Sequence, residues 1–275
     1  MTHRQGTTDR VEERPDGARI HWAERGAGPL VAVVHLTLWS YPGVYEALIS
    51  DLSRDHRVVI PDPRGCGDSS RSGPYDMETD ADDLEAVLEA AGGGAVVIAA
   101  GDGLNRAVRV APARPDLISH VVAIAPAPAA VLPRSELAGS GVLAGSDSVI
   151  EMMLRMMSVQ PRAALREMIA TVNPDLGEEQ LRERVEVVAD YLTPEAGTER
   201  ARSWLEDDVR EQMRMLGGRL VIFYGGADPL LGGELAGRVT ELFPAAQVEE
   251  LADGPVSRPE LTAARVRRLT GPASD

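Results

Sequence analysis

Residues Val96 to Asn105 read V-V-I-A-A-G-D-G-L-N, and the fold turns on them. The run V-V-I-A-A has no polar residue to offer a solvated side, so it suits a strand covered on both faces. The following G-D-G lets the backbone reverse sharply. The next residues, Leu104 to Ala113, place apolar side chains at helical spacing. A strand, a tight small-residue turn and a helix therefore follow one another. The same alternation extends in both directions. Leu30 to His35 (L-V-A-V-V-H) and Arg57 to Ile60 are further buried strands. Helices are predicted over Tyr45–Leu52 and Asp76–Ala91. Val121–Ala125 is the next strand. Near the start, Val11–Glu13 and Arg19–Glu24 flank Asp16-Gly17, a strong hairpin turn. After Pro126 the alternation stops, and residues 127–215 are helical in pattern. It resumes with a strand at Leu220–Tyr224, a helix over Gly233–Phe243, a strand at Gln247–Leu251 and a helix from Pro259 to Leu269. Strands alternating with helices mean an α/β fold, a parallel sheet with helices on both faces. The predicted division is a core of 1–126 and 216–275 with a helical insertion at 127–215.

The composition narrows the function. Net charge is −15, from 43 acidic and 28 basic residues. Such a surface repels phosphate backbones and anionic lipid heads, so neither nucleic acid nor a membrane surface is expected as partner. The single cysteine, Cys66, allows no internal disulfide. The first ten residues hold no apolar run, so no signal peptide is expected. No stretch approaches the ~18 apolar residues of a membrane span. A cytoplasmic location follows as the default. The acidic run Glu78 to Glu85 is read as the solvated face of a helix, near its N-terminus, where negative charge is favoured.

Several motifs resemble those of the α/β-hydrolase fold family, over nearly the full chain. V-A-V-V-H-L resembles the strand and turn that open the oxyanion side of these enzymes. D-P-R-G-C-G-D-S at Asp62–Ser69 is similar to the family's D-x-R-G-x-G-x-S turn, the most specific match. G-G-A-D-P at Gly225–Pro229 looks like the turn that presents the acid of a catalytic triad. The insertion lies where the family carries a helical cap. The resemblance implies a nucleophile on an elbow of pattern G-x-S-x-G, here aligned with Ala99-Ala100-Gly101-Asp102-Gly103. Gly101 then occupies the nucleophile position and has no side chain to attack with. The triad histidine would follow a strand and a glycine, where this chain has Pro255. That loss is independent of alignment, because the five histidines are His3, His21, His35, His56 and His120. Of the triad only Asp228 remains. Ser-His-Asp hydrolysis needs all three roles and is not expected.

Other residues become candidates. Asp102 follows the vacancy at a helix N-terminus. It is read either as a general acid or base on the floor of an apolar pocket, or as a helix-capping residue. A register slipped by one would make Asp102 a nucleophile, as the resemblance to dehalogenases and epoxide hydrolases of this fold implies. Leu104 then sits where glycine is wanted, and no base histidine is present. His35 would lie beside the oxyanion region, in a structural or a catalytic role. Leu36, Thr37 and Trp39 follow it toward a pocket mouth. Asn105 is a candidate ligand contact, and Arg106 is expected on the outer face. Asp228 is either paired with Arg258 or a second acid. Met153 and Met157 belong to a methionine-rich stretch suited to an adaptable apolar lid. The predicted function is a non-hydrolytic enzyme of the cyclase, lyase or isomerase type. It would act on a bulky apolar small molecule in natural-product biosynthesis, by positioning and acid/base catalysis. A pseudo-hydrolase that binds a small molecule or a protein, and a hydrolase using Asp102, are the alternatives. No residue cluster has metal-ligand spacing, so no metal is expected, and no cofactor is required. The expected partner is the small-molecule substrate, and a homodimer is compatible with the chain.

Overall fold

The computed structural model describes residues 6–124, 126, 128–131, 154–225, 233–251 and 258–271. Eight strands form one sheet: β1 (Thr7–Glu13), β2 (Arg19–Arg25), β3 (Leu30–Val34), β4 (Arg57–Pro61), β5 (Ala95–Ala100), β6 (Ile118–Ile124), β7 (Leu220–Gly225) and β8 (Gln247–Leu251). Their order across the sheet is β1-β2-β4-β3-β5-β6-β7-β8. β1 pairs antiparallel with β2, and β2 antiparallel with β4. All later pairings are parallel. The first strand is longer than the sequence pattern predicts, because Thr7 to Arg10 pair with β2 although they carry no apolar alternation.

Parallel strands need crossover helices, and these cover both faces. On one face lie α2 (Met77–Ala90), α3 (Asp102–Val110) and α9 (Gly233–Leu242). On the other lie α1 (Glu46–Leu52) and α10 (Pro259–Thr270). The strands show why. Ala95, Val97 and Ala99 pack into the first layer, and Val96, Ile98 and Ala100 into the second. Side chains alternate across a strand, so an unbroken apolar run feeds both layers. Asp76 caps α2 by accepting a hydrogen bond from the Thr79 amide at 2.8 Å. The acidic face of α2 departs from the expected solvated one. Asp80 and Asp83 are buried, and each is ion-paired with an arginine. Charge runs are usually solvated, but here Arg64 of the turn after β4 pairs with Asp83, and a second layer of structure covers this face and supplies Arg200 to Asp80.

That layer is the helical stretch between β6 and β7. It includes α4 (Pro128–Val131), helical residues 154–159, α5 (Pro161–Val172), α6 (Glu178–Tyr191), α7 (Pro194–Glu206) and α8 (Arg210–Leu216). The stretch from 132 to 153 lies outside the described residues. α5 and α6 share an apolar cluster around Ile169, Leu181, Val185 and Val188. The D-P-R-G-C-G-D-S turn is the seat for these helices. The Gly67 amide donates to the Tyr191 carbonyl at 2.8 Å, and the Thr193 amide to the Gly65 carbonyl at 2.9 Å. Arg200 of α7 is fully buried and donates to Asp80 at 2.5 and 3.1 Å and to the Arg64 carbonyl at 2.7 Å. Arg64 in turn pairs with Asp83 at 2.7 and 3.0 Å.

Candidate functional site

The turn between β5 and α3 has the elbow shape that the sequence predicts. Gly101 adopts φ +53 and ψ −126, a backbone that side-chain-bearing residues rarely take. A Cβ built on Gly101 would lie 2.4 Å from Cδ1 of Leu36. The half-buried Leu36 side chain therefore fills the space into which a nucleophile would project. A Cβ on Gly103 would lie 2.1 Å from the Val34 carbonyl oxygen and 2.9 Å from its carbon. The start of α3 thus packs directly on the backbone at the end of β3. This close approach fixes Gly101 at the apex and Gly103 at the contact, and it fits the unslipped register.

Asp102 is buried and fully engaged. Its Oδ1 accepts from the Thr37 amide at 2.9 Å. Its Oδ2 accepts from the Thr37 hydroxyl at 2.7 Å and from Arg106 Nη2 at 3.1 Å. The same Nη2 donates to the His35 carbonyl at 2.7 Å. Two sequence expectations change. Asp102 lies against a guanidinium and a threonine rather than on an apolar floor. Arg106 is not on the outer face: it is 2% exposed, one turn along α3 from its partner. Together they tie the start of α3 to the loop that follows β3. Asp102→Asn should leave the buried guanidinium without its counter-charge and turn one amide donor toward Thr37. The expected cost is about 2 kcal/mol, read as an earlier denaturant midpoint at an unchanged slope. A midpoint equal to the wild type would mean that the pair contributes nothing.

His35 is 1% exposed and sits at the end of a hydrogen-bonded line. Its Nε2 meets the Tyr191 hydroxyl at 2.8 Å, and that hydroxyl donates to Asp62 Oδ1 at 2.8 Å. Asp62 Oδ2 accepts from His21 Nδ1 at 2.8 Å, and His21 Nε2 meets Asp9 at 3.0 Å. A hydroxyl has one proton. Since the Tyr191 hydroxyl donates its one hydrogen bond to Asp62, it can only accept from His35, so Nε2 carries the hydrogen. Nδ1 of His35 is then a bare acceptor, and it has no hydrogen-bond partner among the described residues. Burial and the nearby Arg106 guanidinium push His35 down to about 3, so the ring is neutral at pH 7. Burial and the Asp62 carboxylate hold Tyr191 well above its ordinary value, keeping its proton in place. Burial disfavours a charged Asp62, but hydrogen bonds from His21 and Tyr191 outweigh it and lower its pKa. For His21 burial acts downward, and its contacts with Asp62 and Asp9 prevail and raise it.

The remaining candidates divide. Asn105 is buried and points into the helical stretch, accepting from Trp204 at 3.1 Å and donating to Asp207 at 2.9 Å. Trp39 packs edge-on against Trp204 at 6.2 Å between ring centres. Met157 is buried with α5 and α6. Asp228 and Met153 lie outside the described residues. The structure thus brings His35, Leu36, Thr37, Gly101 and Asp102 together at the elbow. It adds Tyr191, Asp62, His21 and Arg106, which sequence reasoning did not place there. Asp62 was visible as part of a turn motif, but nothing in the sequence linked it to Tyr191, 129 positions away. His21, Asp62 and Asp68 also bring ligand-type atoms within 4.8 Å of one another. The His21–Asp62 contact is a hydrogen bond, so a cation could enter only by displacing that proton.

Comparison with known proteins agrees with this geometry. A sequence profile described as "alpha/beta hydrolase fold" matches residues 34–141. A cis-3-alkyl-4-alkyloxetan-2-one decarboxylase of Shewanella oneidensis is 37% identical over 79 residues. That match spans 27% of this chain and 24% of the decarboxylase. Among solved structures, an esterase from Exiguobacterium antarcticum superposes with a TM-score of 0.80 at 14% identity, covering 94% of this chain and 98% of the esterase. A bromoperoxidase from Bacillus anthracis gives 0.77 at 21% identity over 94% and 96% of the two chains. An E-2-(acetamidomethylene)succinate hydrolase gives 0.72 at 21% identity over 96% and 98%. No helix among the described residues is long and apolar enough to cross a membrane. With an eight-stranded, mostly parallel sheet, a tight elbow at Gly101 between β5 and α3 and helices inserted after β6, the chain has the α/β-hydrolase fold.

Proposed function

We propose that this protein is a non-hydrolytic, cofactor-independent enzyme of the cyclase, lyase or isomerase type. It acts on a bulky apolar small molecule in a natural-product pathway of the cytoplasm, with a homodimer compatible with this reading. The observation that carries it is at the elbow: Gly101 offers no nucleophile, and Leu36 fills the space one would need. Two sequence facts support it. No histidine follows His120, so no imidazole stands at the C-terminal position where a triad would need it. All 28 basic residues are arginine, so no lysine is available for Schiff-base chemistry. The short match to a decarboxylase is consistent with a lyase and goes no further. The acid/base role moves from Asp102, which is committed to Thr37 and Arg106, to His35. If a ligand proton moves toward Nδ1, positive charge develops on the ring, and the Asp62 carboxylate opposes its cost through Tyr191.

The test is direct. Neither the wild type nor Gly101→Ser should release p-nitrophenol from p-nitrophenyl acetate above the buffer blank. Release by the wild type at a saturable rate would overturn the reading. A second reading, binding without turnover, draws on the buried Asp102, Asn105 and Arg106, whose polar groups are all engaged by the protein itself. Mass spectrometry separates the two. A ligand released from the purified protein and returned to it changes mass or retention time under the first reading and stays unchanged under the second.

A further inference from the structure

Several buried polar atoms lack a hydrogen-bond partner among the described residues, and the one at the elbow is a ring nitrogen of His35, Nδ1. Tyr191 binds Nε2 at 2.8 Å, and Tyr45 packs edge-on with ring centres 6.4 Å apart. An unsatisfied buried acceptor costs roughly 1–3 kcal/mol, and native structures carry few of them. A histidine has an inexpensive escape from such a cost: it can move its proton to the other nitrogen. The line Asp62–Tyr191–His35 closes that escape. Asp62 is ionised and accepts the hydrogen bond of the Tyr191 hydroxyl, which leaves the phenol oxygen's lone pair facing Nε2. Moving the His35 proton to Nδ1 would set two lone pairs against each other at 2.8 Å.

We propose that Tyr191 and Asp62 lock His35 in its Nε2–H form so that Nδ1 serves as the acceptor for a neutral hydroxyl, enol or amide N–H of a bound ligand. This deepens the proposed function by naming the ligand chemistry. Tyr191 and Asp62 are positioning residues, acting through the imidazole. The lock selects on three grounds. A bare nitrogen repels carboxylates, carbonyls and ethers, which bring lone pairs of their own. A donor without charge enters a buried site at lower cost than an ammonium does. The neighbouring Arg106 guanidinium adds to the barrier against cations.

The lock can be read without any turnover, so its failure is distinct from failure of the enzymatic reading. In protein carrying 15N-histidine, long-range 1H–15N correlation spectra distinguish a bare ring nitrogen from a protonated one. His35 is assigned by the signal that disappears in His35→Gln. At pH 7 the wild type should show His35 with Nε2 protonated and Nδ1 bare. A protonated Nδ1, or a fast average of both forms, would overturn the proposal, and this needs no variant to fold. Tyr191→Phe should convert the ring to the averaged or Nδ1–H pattern, and an unchanged pattern would also overturn it. Phenol and anisole serve as shape-matched probes with and without a donor. Phenol should move the Nδ1 resonance in a saturable way and anisole should not. Equal responses, or none to phenol, would show that Nδ1 receives no ligand donor.

Discussion

Arg200→Leu lowers the thermal midpoint by about 10 °C. Arg200 is the largest fully buried side chain among the described residues, and its guanidinium is held by both oxygens of Asp80 and by the Arg64 carbonyl. Removing the cation leaves the Asp80 carboxylate in the interior without a counter-charge. Breaking one partner of a buried pair costs roughly 3–5 kcal/mol, and in a chain of this size each kcal/mol moves the midpoint by ~2–4 °C. The double variant Arg200→Leu, Asp80→Leu should recover most of the loss, because the orphaned charge goes with its partner. Differential scanning calorimetry at fixed pH reads both. A shift below 3 °C in the single variant, or no recovery in the double, would mean that water reaches the pair.

Gly103→Ala should be strongly destabilising. Its Cβ has to enter at 2.1 Å from the Val34 carbonyl oxygen and 3.2 Å from that of His35. Both obstacles are backbone, so no side chain can rotate away. The start of α3 must lift off β3, which pulls Asp102 from Thr37 and Leu104 from the core. Overpacking costs about 1–3 kcal/mol when side chains yield, and the backbone contact places this case at or above the upper end. Gly237→Ala is the internal control. Gly237 lies in α9 with nothing within 4 Å of its added Cβ, so the change should raise the midpoint through helix propensity by roughly 0.5–1 kcal/mol. Soluble Gly103→Ala protein with wild-type stability would contradict the close approach and the register drawn from it.

The two glycines of the elbow show how far sequence reading reaches. The spacing Gly101–Gly103 after V-V-I-A-A gave the strand, the turn and the helix, because backbone sterics and apolar alternation act locally. The same holds for β3, whose five residues are all buried, and for β8, whose bounds agree with the pattern. Asp102 illustrates the opposite. A carboxylate beside a vacant nucleophile position invites a catalytic reading. Of its partners, Arg106 lies one turn along the same helix, but Thr37 becomes a neighbour only when β3 and β5 align in the sheet. Arg106 looked like a surface charge because helical periodicity reports which face a residue shares, not what covers that face. The acidic run on α2 misled for the same reason, since Arg200 arrives from 120 positions away.

By itself, the sequence determined the α/β architecture, the loss of a side chain at Gly101 and the absence of any histidine after His120. Those follow from residue identity and short-range geometry. Only the tertiary structure decided what occupies the empty nucleophile space, which charge neutralises Asp102 and which nitrogen of His35 is left bare. The first and the last depend on side chains brought together across long loops, and the second on which face of α3 the rest of the fold buries. Their hydrogen bonds are set by distances of a fraction of an ångström that no local pattern encodes.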